Sequence, residues 1–142
     1  MRNICLHPVF ISVIAWSKGA LLTLPRVEPP WEGFLQLPEG PLKRGELPEN
    51  ASVRILKEAS GLTGTKMKLI GVHDSLERVE KRRALVLSFL AMNWIGEIPL
   101  EGVRWLSDWR GTELAFEHSI MCLEADSVME TALRARTLYA VR

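Results

Sequence analysis

The segment from Gly40 to Leu62 constrains the fold more than any other part of the chain, because it joins a glycine-containing loop to a sharply bounded helix. Pro48 fits the first helical turn, where its missing N–H would have no partner, and Glu49 suits the positive end of the helix dipole. Apolar residues recur at helical spacing, namely Ala51, Ile55, Leu56, Ala59 and Leu62. Gly61 is placed to end the helix. The sequence therefore predicts a loop followed by a helix over residues 48–60.

Apolar runs on both sides of this helix predict a mixed β-sheet. Val9 to Trp16 and Ala20 to Leu24 are separated by a turn signal, so we predict a β-hairpin. Further strands are predicted over residues 33–37, 66–73, 83–94 and 103–106, prolines keep 25–33 in a loop, and a helical pattern runs from 112 to 138. This order predicts one α+β domain over residues 1–142, with a mixed β-sheet between helices.

Composition and charge limit the classes of protein. Hydrophobic residues make up 47% and charged residues 25%, which is typical of a soluble globular protein. The net charge is +1, without the basic excess typical of nucleic-acid-binding proteins. The basic cluster at 81–83 is interpreted as a solvated loop or strand start, with a phosphate-binding patch as the alternative. No apolar run reaches the about 20 residues that span a bilayer. We therefore predict a cytoplasmic protein with no nucleic-acid or membrane partner.

The cysteines and the N-terminal run exclude two further classes. Cys5 and Cys122 lie far apart without C-x-x-C spacing, so we interpret both as buried free thiols. The apolar run over residues 4–16 is interrupted by His7 and Pro8, which favours a buried strand over a signal peptide.

The loop–helix segment also carries residues at the spacing of a known motif. Gly40 is followed after five residues by Glu46, and after seven more by Arg54. Leu56, Glu58, Gly61 and Leu62 then follow in register. The segment resembles the Nudix box, G-x5-E-x7-R-E-U-x-E-E-x-G-U with U a bulky aliphatic residue, at seven of its nine defined positions. Residues 31–38, 103–106 and 114–118 are similar to members of the ADP-ribose pyrophosphatase type. The resemblance implies an α/β/α layered Nudix fold.

The resemblance also implies a metal-dependent hydrolase, but two carboxylates of the motif are missing. Ile55 and Ala59 stand where the family has metal-site glutamates, and they share one helical ridge. Glu39 replaces the first glycine of the family's loop pair. Mg²⁺ or Mn²⁺ would neutralise a poly-anionic substrate and supply a nucleophilic water. Because Mg²⁺ is commonly held by one or two carboxylates plus phosphate and water, the remaining carboxylates imply weak binding of one ion.

Each residue that the resemblance assigns to the site has a structural alternative. Glu58 and Arg54 are the candidate catalytic residues, and Glu58, Glu46 and Glu39 are the candidate metal ligands. The alternative for Glu58 is an i, i+4 ion pair with Arg54, and Arg54 itself is interpreted as an anchor that orients loop carboxylates. The alternative for Glu39 is a solvated loop residue or a partner of Lys43 or Arg44.

Gly40 and Trp31 are the candidate substrate-binding residues. Gly40 lies in the predicted substrate loop, with a purely structural turn as its alternative. Trp31, in the proline-rich loop, is the best candidate to stack on a base, whereas Trp94 and Trp105 lie in apolar strands and are assigned to the core.

Residues outside the motif supply further candidates. Asp74, Glu77 and Glu80 are predicted in a loop, where one of them would serve as a general base or all would be surface charges. His118 falls in the last helical pattern and is interpreted as a structural or capping histidine.

The sequence leaves three hypotheses open, and it favours the hydrolase because carboxylates at the fixed spacing survive. The retained spacing of Glu46, Arg54 and Glu58 favours a hydrolase of a nucleoside diphosphate linked to another moiety, such as ADP-ribose, with reduced activity. The replacements at 55 and 59 favour an inactive Nudix-fold protein that binds a nucleotide or regulates. A structural dimer without a ligand is the third hypothesis. We expect a nucleotide-type small molecule as ligand and a homodimer, as in relatives of the ADP-ribose pyrophosphatase type. Because the chain ends soon after the last predicted helix, we expect no DNA-binding module.

Overall fold

The computed structural model describes residues 7–80, 82–98 and 101–140, with backbone alone for 136–140. Eight strands and two helices follow in chain order: β1 (Val9–Ile14), β2 (Trp16–Ser17), β3 (Ala20–Pro25), β4 (Leu35–Gln36), β5 (Glu39–Pro41), α1 (Pro48–Ser60), β6 (Thr63–Val79), β7 (Arg82–Ile95), β8 (Arg104–Leu106) and α2 (His118–Ala140). None of the helices in these described ranges is long and apolar enough to cross a bilayer.

Helix α1 forms at the predicted residues. It begins at Pro48 and ends at Ser60, where Gly61 adopts φ +85° and its N–H donates to the carbonyl of Lys57. A residue with a Cβ is strained in this left-handed conformation, which explains the glycine at the helix end. Ile55 and Leu56 lie on the buried face.

The main sheet has the strand order β5-β1-β7-β6. Strand β1 runs parallel to β7 and antiparallel to β5, while β6 runs antiparallel to β7, so the predicted mixed sheet is confirmed. The core is divided between the two faces of this sheet. Ile11 and Val13 pack with α1 residues on one face, and Ile14 packs with Met121 and Cys122 of α2 on the other. The sheet therefore lies between the two helices, as predicted.

The predicted hairpin of residues 9–16 and 20–24 is confirmed only next to its turn, where Trp16 and Ser17 of β2 pair antiparallel with Leu21 and Ala20 of β3. Strand β1 does not pair with β3, which instead joins β2, β4 and β8 in a second small sheet. Residues 11–14 are completely buried, because β1 lies in the interior of the main sheet with a core cluster on each face. Strand β1 is buried because a core cluster covers each face, and β5 and β7 pair with its two edges, so β3 has no free edge of β1 to join.

Other element bounds differ in ways that bear on the site. Strand β6 extends to Val79, so Asp74 and Glu77 lie on a strand and not in the predicted loop. Helix α2 begins at His118, later than the predicted residue 112. Strand β4 comprises only residues 35–36 of the predicted 33–37.

The structure agrees with the purely structural interpretations of Cys122 and of the arginines at 82 and 83. Cys122 is a buried free thiol as predicted, while Cys5 lies outside the described residues. Arg82 and Arg83 are exposed at the start of β7, as the strand-start interpretation requires, and Lys81 is outside the described ranges. Trp94 and Trp105 stack on each other and lie at the margin of the core, partly buried.

Candidate functional site

Glu39 is the centre of a buried ionic cluster beneath the first turn of α2. Its position in β5, opposite Ser12 of β1, points the carboxylate toward the α2 side of the sheet. The side chain is only 7% exposed. Ser12 Oγ donates to Oε1 (2.6 Å), and Arg78 Nη2 and Nε donate to Oε1 (2.7 Å) and Oε2 (3.0 Å). The interpretations of Glu39 as a solvated residue or a partner of Lys43 or Arg44 are therefore wrong.

Arg78, which the sequence did not single out, provides the positive charge of this cluster. It lies near the end of β6 and its side chain is 1% exposed. It also donates to Glu117, and its guanidinium lies 3.8 Å from the centroid of the Phe116 ring. Burial alone would lower the pKa of Arg78, but the hydrogen bonds to Glu39 and Glu117 raise it. The cluster thus holds a permanent cation against two carboxylates.

His118 completes the cluster from the first residue of α2. The backbone N–H of Leu37 donates to Nδ1 (3.1 Å), so Nδ1 acts as the acceptor. With Nδ1 as the acceptor, Nε2 carries a proton and donates to Glu39 Oε1 (3.0 Å). Burial alone would raise the pKa of Glu39, but the hydrogen bonds from His118 and Arg78 hold it well below its usual range. His118 has the structural environment that the sequence interpretation gave it.

The carboxylates retained from the motif gather around Arg54 instead. Arg54 donates to both oxygens of Glu46 (2.8 and 2.9 Å) and to the carbonyl of Pro41 (2.9 Å). The same guanidinium contacts Glu58 at 3.3 Å, and the Glu58 side chain is 61% exposed. The hydrogen bond from Arg54 lowers the pKa of Glu46 to about 2. This is the geometry of an anchor that holds the loop to the helix.

The face that lost two glutamates is filled with hydrocarbon. Ile55 is 3% exposed and belongs to the core cluster on the α1 side of the sheet. A Cβ built on Gly40 would lie 3.3 Å from Ile55 Cγ1, so the loop glycine packs directly against this side chain. Gly40 forms part of β5, and the close approach gives a packing reason for a glycine there. Ala59 adds no ligand atom.

The residues present do not fit the metal centre that the resemblance implies. In the ranges that the structure describes, no group of three or more His, Cys, Asp or Glu residues is placed to hold a metal ion. Glu39 already faces the cation Arg78, and Glu46 faces the cation Arg54. Of the three candidate metal ligands, only Glu58 has an exposed carboxylate. A divalent ion bound there would need further ligands from a bound phosphate.

A pocket of about 210 Å³ opens beside the ionic cluster. Its lining includes Gly40, Glu28, Gln36, Phe116 and Arg26. The Arg26 guanidinium donates to the carbonyls of Pro29 and Pro30 and to the side-chain oxygen of Gln36. No carboxylate within the described residues forms an ion pair with it. The Arg26 guanidinium lies 4.6 Å from the centroid of the Phe116 ring. Arg78 contacts the same ring, but its charge is balanced by the carboxylates of Glu39 and Glu117.

The remaining candidates are distributed around this pocket. Trp31 lies beside Phe116, with ring centroids 6.5 Å apart, and its indole N–H donates to Glu77 (2.6 Å). Asp74 is exposed and contacts Arg83 at 3.5 Å. Neither Asp74 nor Glu80 lines the pocket. The fold therefore places Trp31 near the pocket, together with its hydrogen-bond partner Glu77.

Arg26 and Arg78 carry no local signal in the sequence, whereas Phe116 falls in the stretch 114–118 that resembles proteins of the ADP-ribose pyrophosphatase type. Arg26, Arg78 and Phe116 belong to a loop after β3, a strand and a turn before α2. Only the packing of α2 on the sheet brings Arg78 against Phe116, because 38 residues separate them in the chain.

The comparison with solved structures decides the fold. A MutT Nudix hydrolase from Burkholderia pseudomallei superposes with a TM-score of 0.74 at 20% identity, covering 84% of this chain and 98% of that one. The Nudix domain of Shewanella oneidensis NrtR, solved with ADP-ribose, superposes with a TM-score of 0.73 at 16% identity, covering 89% and 90%. The chain has the Nudix fold.

The sequence of this Nudix-fold chain supports the same resemblance. An ADP-ribose pyrophosphatase from Methanocaldococcus jannaschii is 33% identical over 86 residues, which are 60% of this chain and 51% of the relative. The match thus spans about half the length of that protein. No protein-family model matches the chain. The predicted resemblance to Nudix proteins of the ADP-ribose type is confirmed.

One Nudix-fold neighbour bears on the predicted absence of a nucleic-acid partner. Shewanella oneidensis NrtR, solved with a 27mer DNA, superposes with a TM-score of 0.68 at 17% identity, covering 87% of this chain and 61% of NrtR. The predicted absence of a nucleic-acid partner therefore gains no support from the fold and remains a prediction from the sequence.

Proposed function

We propose that this Nudix-fold chain binds a nucleotide-type ligand, a nucleoside diphosphate linked to another moiety such as ADP-ribose, without hydrolysing it at a metal centre of the family's kind. The ion pair between Arg78 and Glu39 carries the proposal. It places a buried guanidinium 2.7 Å from the one additional carboxylate that the loop offers as a metal ligand. A divalent cation would have to displace this guanidinium, whose side chain is 1% exposed.

Arg26 supports the binding part of the proposal. Its guanidinium lines the pocket, has only neutral hydrogen-bond partners, and presents the planar donor set that suits phosphate oxygens. Glu28 in the same lining would repel a phosphate, so we expect the diphosphate to lie on the Arg26 side. Trp31 and Phe34, with ring centroids 5.0 Å apart, offer aromatic surface next to it.

Weak hydrolysis is the second candidate function. The sequence match to an ADP-ribose pyrophosphatase favours it, as do the retained Glu46 and Glu58 beside Arg54. In this case one Mg²⁺ or Mn²⁺ ion would depend on Glu58 and on the phosphates of the substrate.

Calorimetric titration with ADP-ribose, in EDTA and again in Mg²⁺, tests the proposal. We expect binding in EDTA, weakened by Arg26→Gln and unchanged by Arg134→Gln, which alters an exposed arginine of α2. Binding that requires Mg²⁺, or an equal loss in both variants, would contradict the proposal.

A turnover assay separates the two functions. The protein is incubated with ADP-ribose and Mg²⁺ or Mn²⁺ beside Glu58→Gln, and product is measured by chromatography. We expect no turnover above the variant. Turnover that disappears in Glu58→Gln would establish the hydrolase instead.

A further inference from the structure

A second polar cluster lies on the α2 side of the sheet, away from the pocket. Gly71 of β6 faces Ser88 of β7 across the ladder. A Cβ built on Gly71 would lie 2.8 Å from Ser88 Oγ, 2.8 Å from Glu124 Oε2 and 3.1 Å from His73 Nε2. Three polar atoms from two strands and one helix therefore converge over this glycine. We name the arrangement the Gly71 cradle.

The lack of room for a side chain, and not an unusual backbone conformation, explains why a glycine occupies position 71. Gly71 is not among the glycines with positive φ, so its backbone is open to other residues. A Cβ there would instead lie closer than 3.0 Å to Ser88 Oγ and Glu124 Oε2, so these two side chains would have to move away. An alanine there would fill the space that the cradle encloses.

Two of the converging atoms are buried without a hydrogen bond. Ser88 is 0% exposed, and neither its Oγ nor His73 Nε2 has a hydrogen-bond partner. Leaving such groups unpaired is unfavourable, so a polar atom is expected between them. Glu124 Oε2 lies 3.5 Å from His73 Nε2, too far for a hydrogen bond.

Charge and ligand type point to a cation. No lysine or arginine of the described residues forms an ion pair with Glu124, whose carboxylate faces the His73 ring. An imidazole nitrogen together with a carboxylate oxygen suits Zn²⁺, whereas Mg²⁺ prefers oxygen ligands alone. Two ligands at Zn²⁺ bond lengths stand roughly 3.4 Å apart in a tetrahedral site. The distance of 3.5 Å between His73 Nε2 and Glu124 Oε2 matches this separation.

We propose that the Gly71 cradle binds a zinc ion through His73 Nε2 and Glu124 Oε2, with the Ser88 hydroxyl as a weaker third ligand. Glu124 is 41% exposed, so the ion has access from solvent. Bound zinc would tie α2 to the edge strand β6. Because Glu124 lies less than two helical turns after His118, which holds Glu39, the same ion would steady the ionic cluster through the first turns of α2. The proposal does not depend on the proposed nucleotide ligand.

Titration with ZnCl2 tests the cradle, with binding followed by calorimetry and stability by the melting temperature. The tag-free protein carries Cys5→Ser, so that this thiol does not bind the metal. We expect one zinc per chain and a melting temperature that rises with zinc concentration, with no such rise in MgCl2. His73→Gln and Glu124→Gln should each lower the zinc affinity by at least about tenfold.

Two further variants separate zinc binding from folding. Glu130→Gln changes an exposed carboxylate of the same helix and should leave zinc affinity unchanged. Gly71→Ala fills the cradle and should abolish the zinc-dependent rise even if its own melting temperature is lower. Absence of a zinc-dependent rise in the parent protein would overturn the proposal and leave a buried water as the occupant. Equal affinity in the parent and both ligand variants would overturn it as well.

Discussion

Replacing Arg78 with methionine tests whether the buried ionic cluster is a structural element of this Nudix-fold chain. The substitution keeps much of the side-chain volume but removes the charge that faces Glu39 at 2.7 Å and Glu117 at 2.7 Å. Removing one partner of a buried ion pair costs about 3–5 kcal/mol, because the other charge is left without compensation. A domain of this size has a total stability of about 5–15 kcal/mol, so the loss would be a large fraction of it.

Replacing Glu39, the other partner of this ion pair, should lower the free energy of unfolding by less. In Glu39→Gln, Arg78 retains Glu117, and the amide still accepts a hydrogen bond, so we expect a loss of about 1–2 kcal/mol. The double variant Arg78→Met/Glu39→Gln removes both charges. It should therefore be more stable than Arg78→Met alone, with a coupling energy above about 1 kcal/mol.

Urea denaturation at pH 7 measures these differences, with Arg134→Met as the control. Arg134 forms an exposed i, i+4 pair with Glu130, and its replacement should cost less than about 0.5 kcal/mol. A loss below about 1 kcal/mol for Arg78→Met, together with additive single effects, would refute the reasoning.

The pH dependence of the same comparison has a definite sign. The pKa of Glu39 is depressed in the folded protein, so its contribution is complete above the ordinary carboxyl range and falls as pH drops below that range. In Arg78→Met, Glu39 has lost the two hydrogen bonds from Arg78 and takes up a proton more readily. The stability difference between the parent and Arg78→Met should therefore shrink as the pH falls.

Three further predictions concern other parts of the molecule. The pKa of Glu46 falls from 4.5 to about 2, so the stability that the parent protein has over Glu46→Gln should be constant above pH 4.5 and decline toward pH 2 in urea titrations; a constant difference throughout would contradict it. Burial raises the pKa of Cys122 to about 12, so in a Cys5→Ser background iodoacetamide at pH 8 should modify the thiol in urea but not in buffer, as counted by mass spectrometry. Ile55→Glu places a carboxylate at a buried core position, so it should lower the melting temperature in EDTA; because Glu39 and Glu46 already face arginines, Mg²⁺ should not recover the loss, and a recovery would contradict the proposed absence of a metal centre of the family's kind.

The sequence by itself determined the loop–helix segment and the resemblance that predicts the Nudix fold. Helix α1 needs only local information, since Pro48 begins it, the apolar face follows the helical period, and Gly61 ends it in a left-handed conformation. The spacing of Gly40, Glu46 and Arg54 is likewise readable in the chain, because these residues serve one loop packed on its own helix.

Only the tertiary structure decided which charges meet at the site. Glu39 contacts Arg78 and His118, which lie 39 and 79 residues further along the chain. The register of the main sheet sets this arrangement by pairing Ser12 with both Glu39 and Ser88, and Ser88 with Gly71. One row of the sheet thereby carries the ionic cluster at one end and the Gly71 cradle at the other. Strand register depends on long-range pairing and on the packing of α2, and neither leaves a periodic signal in a single sequence.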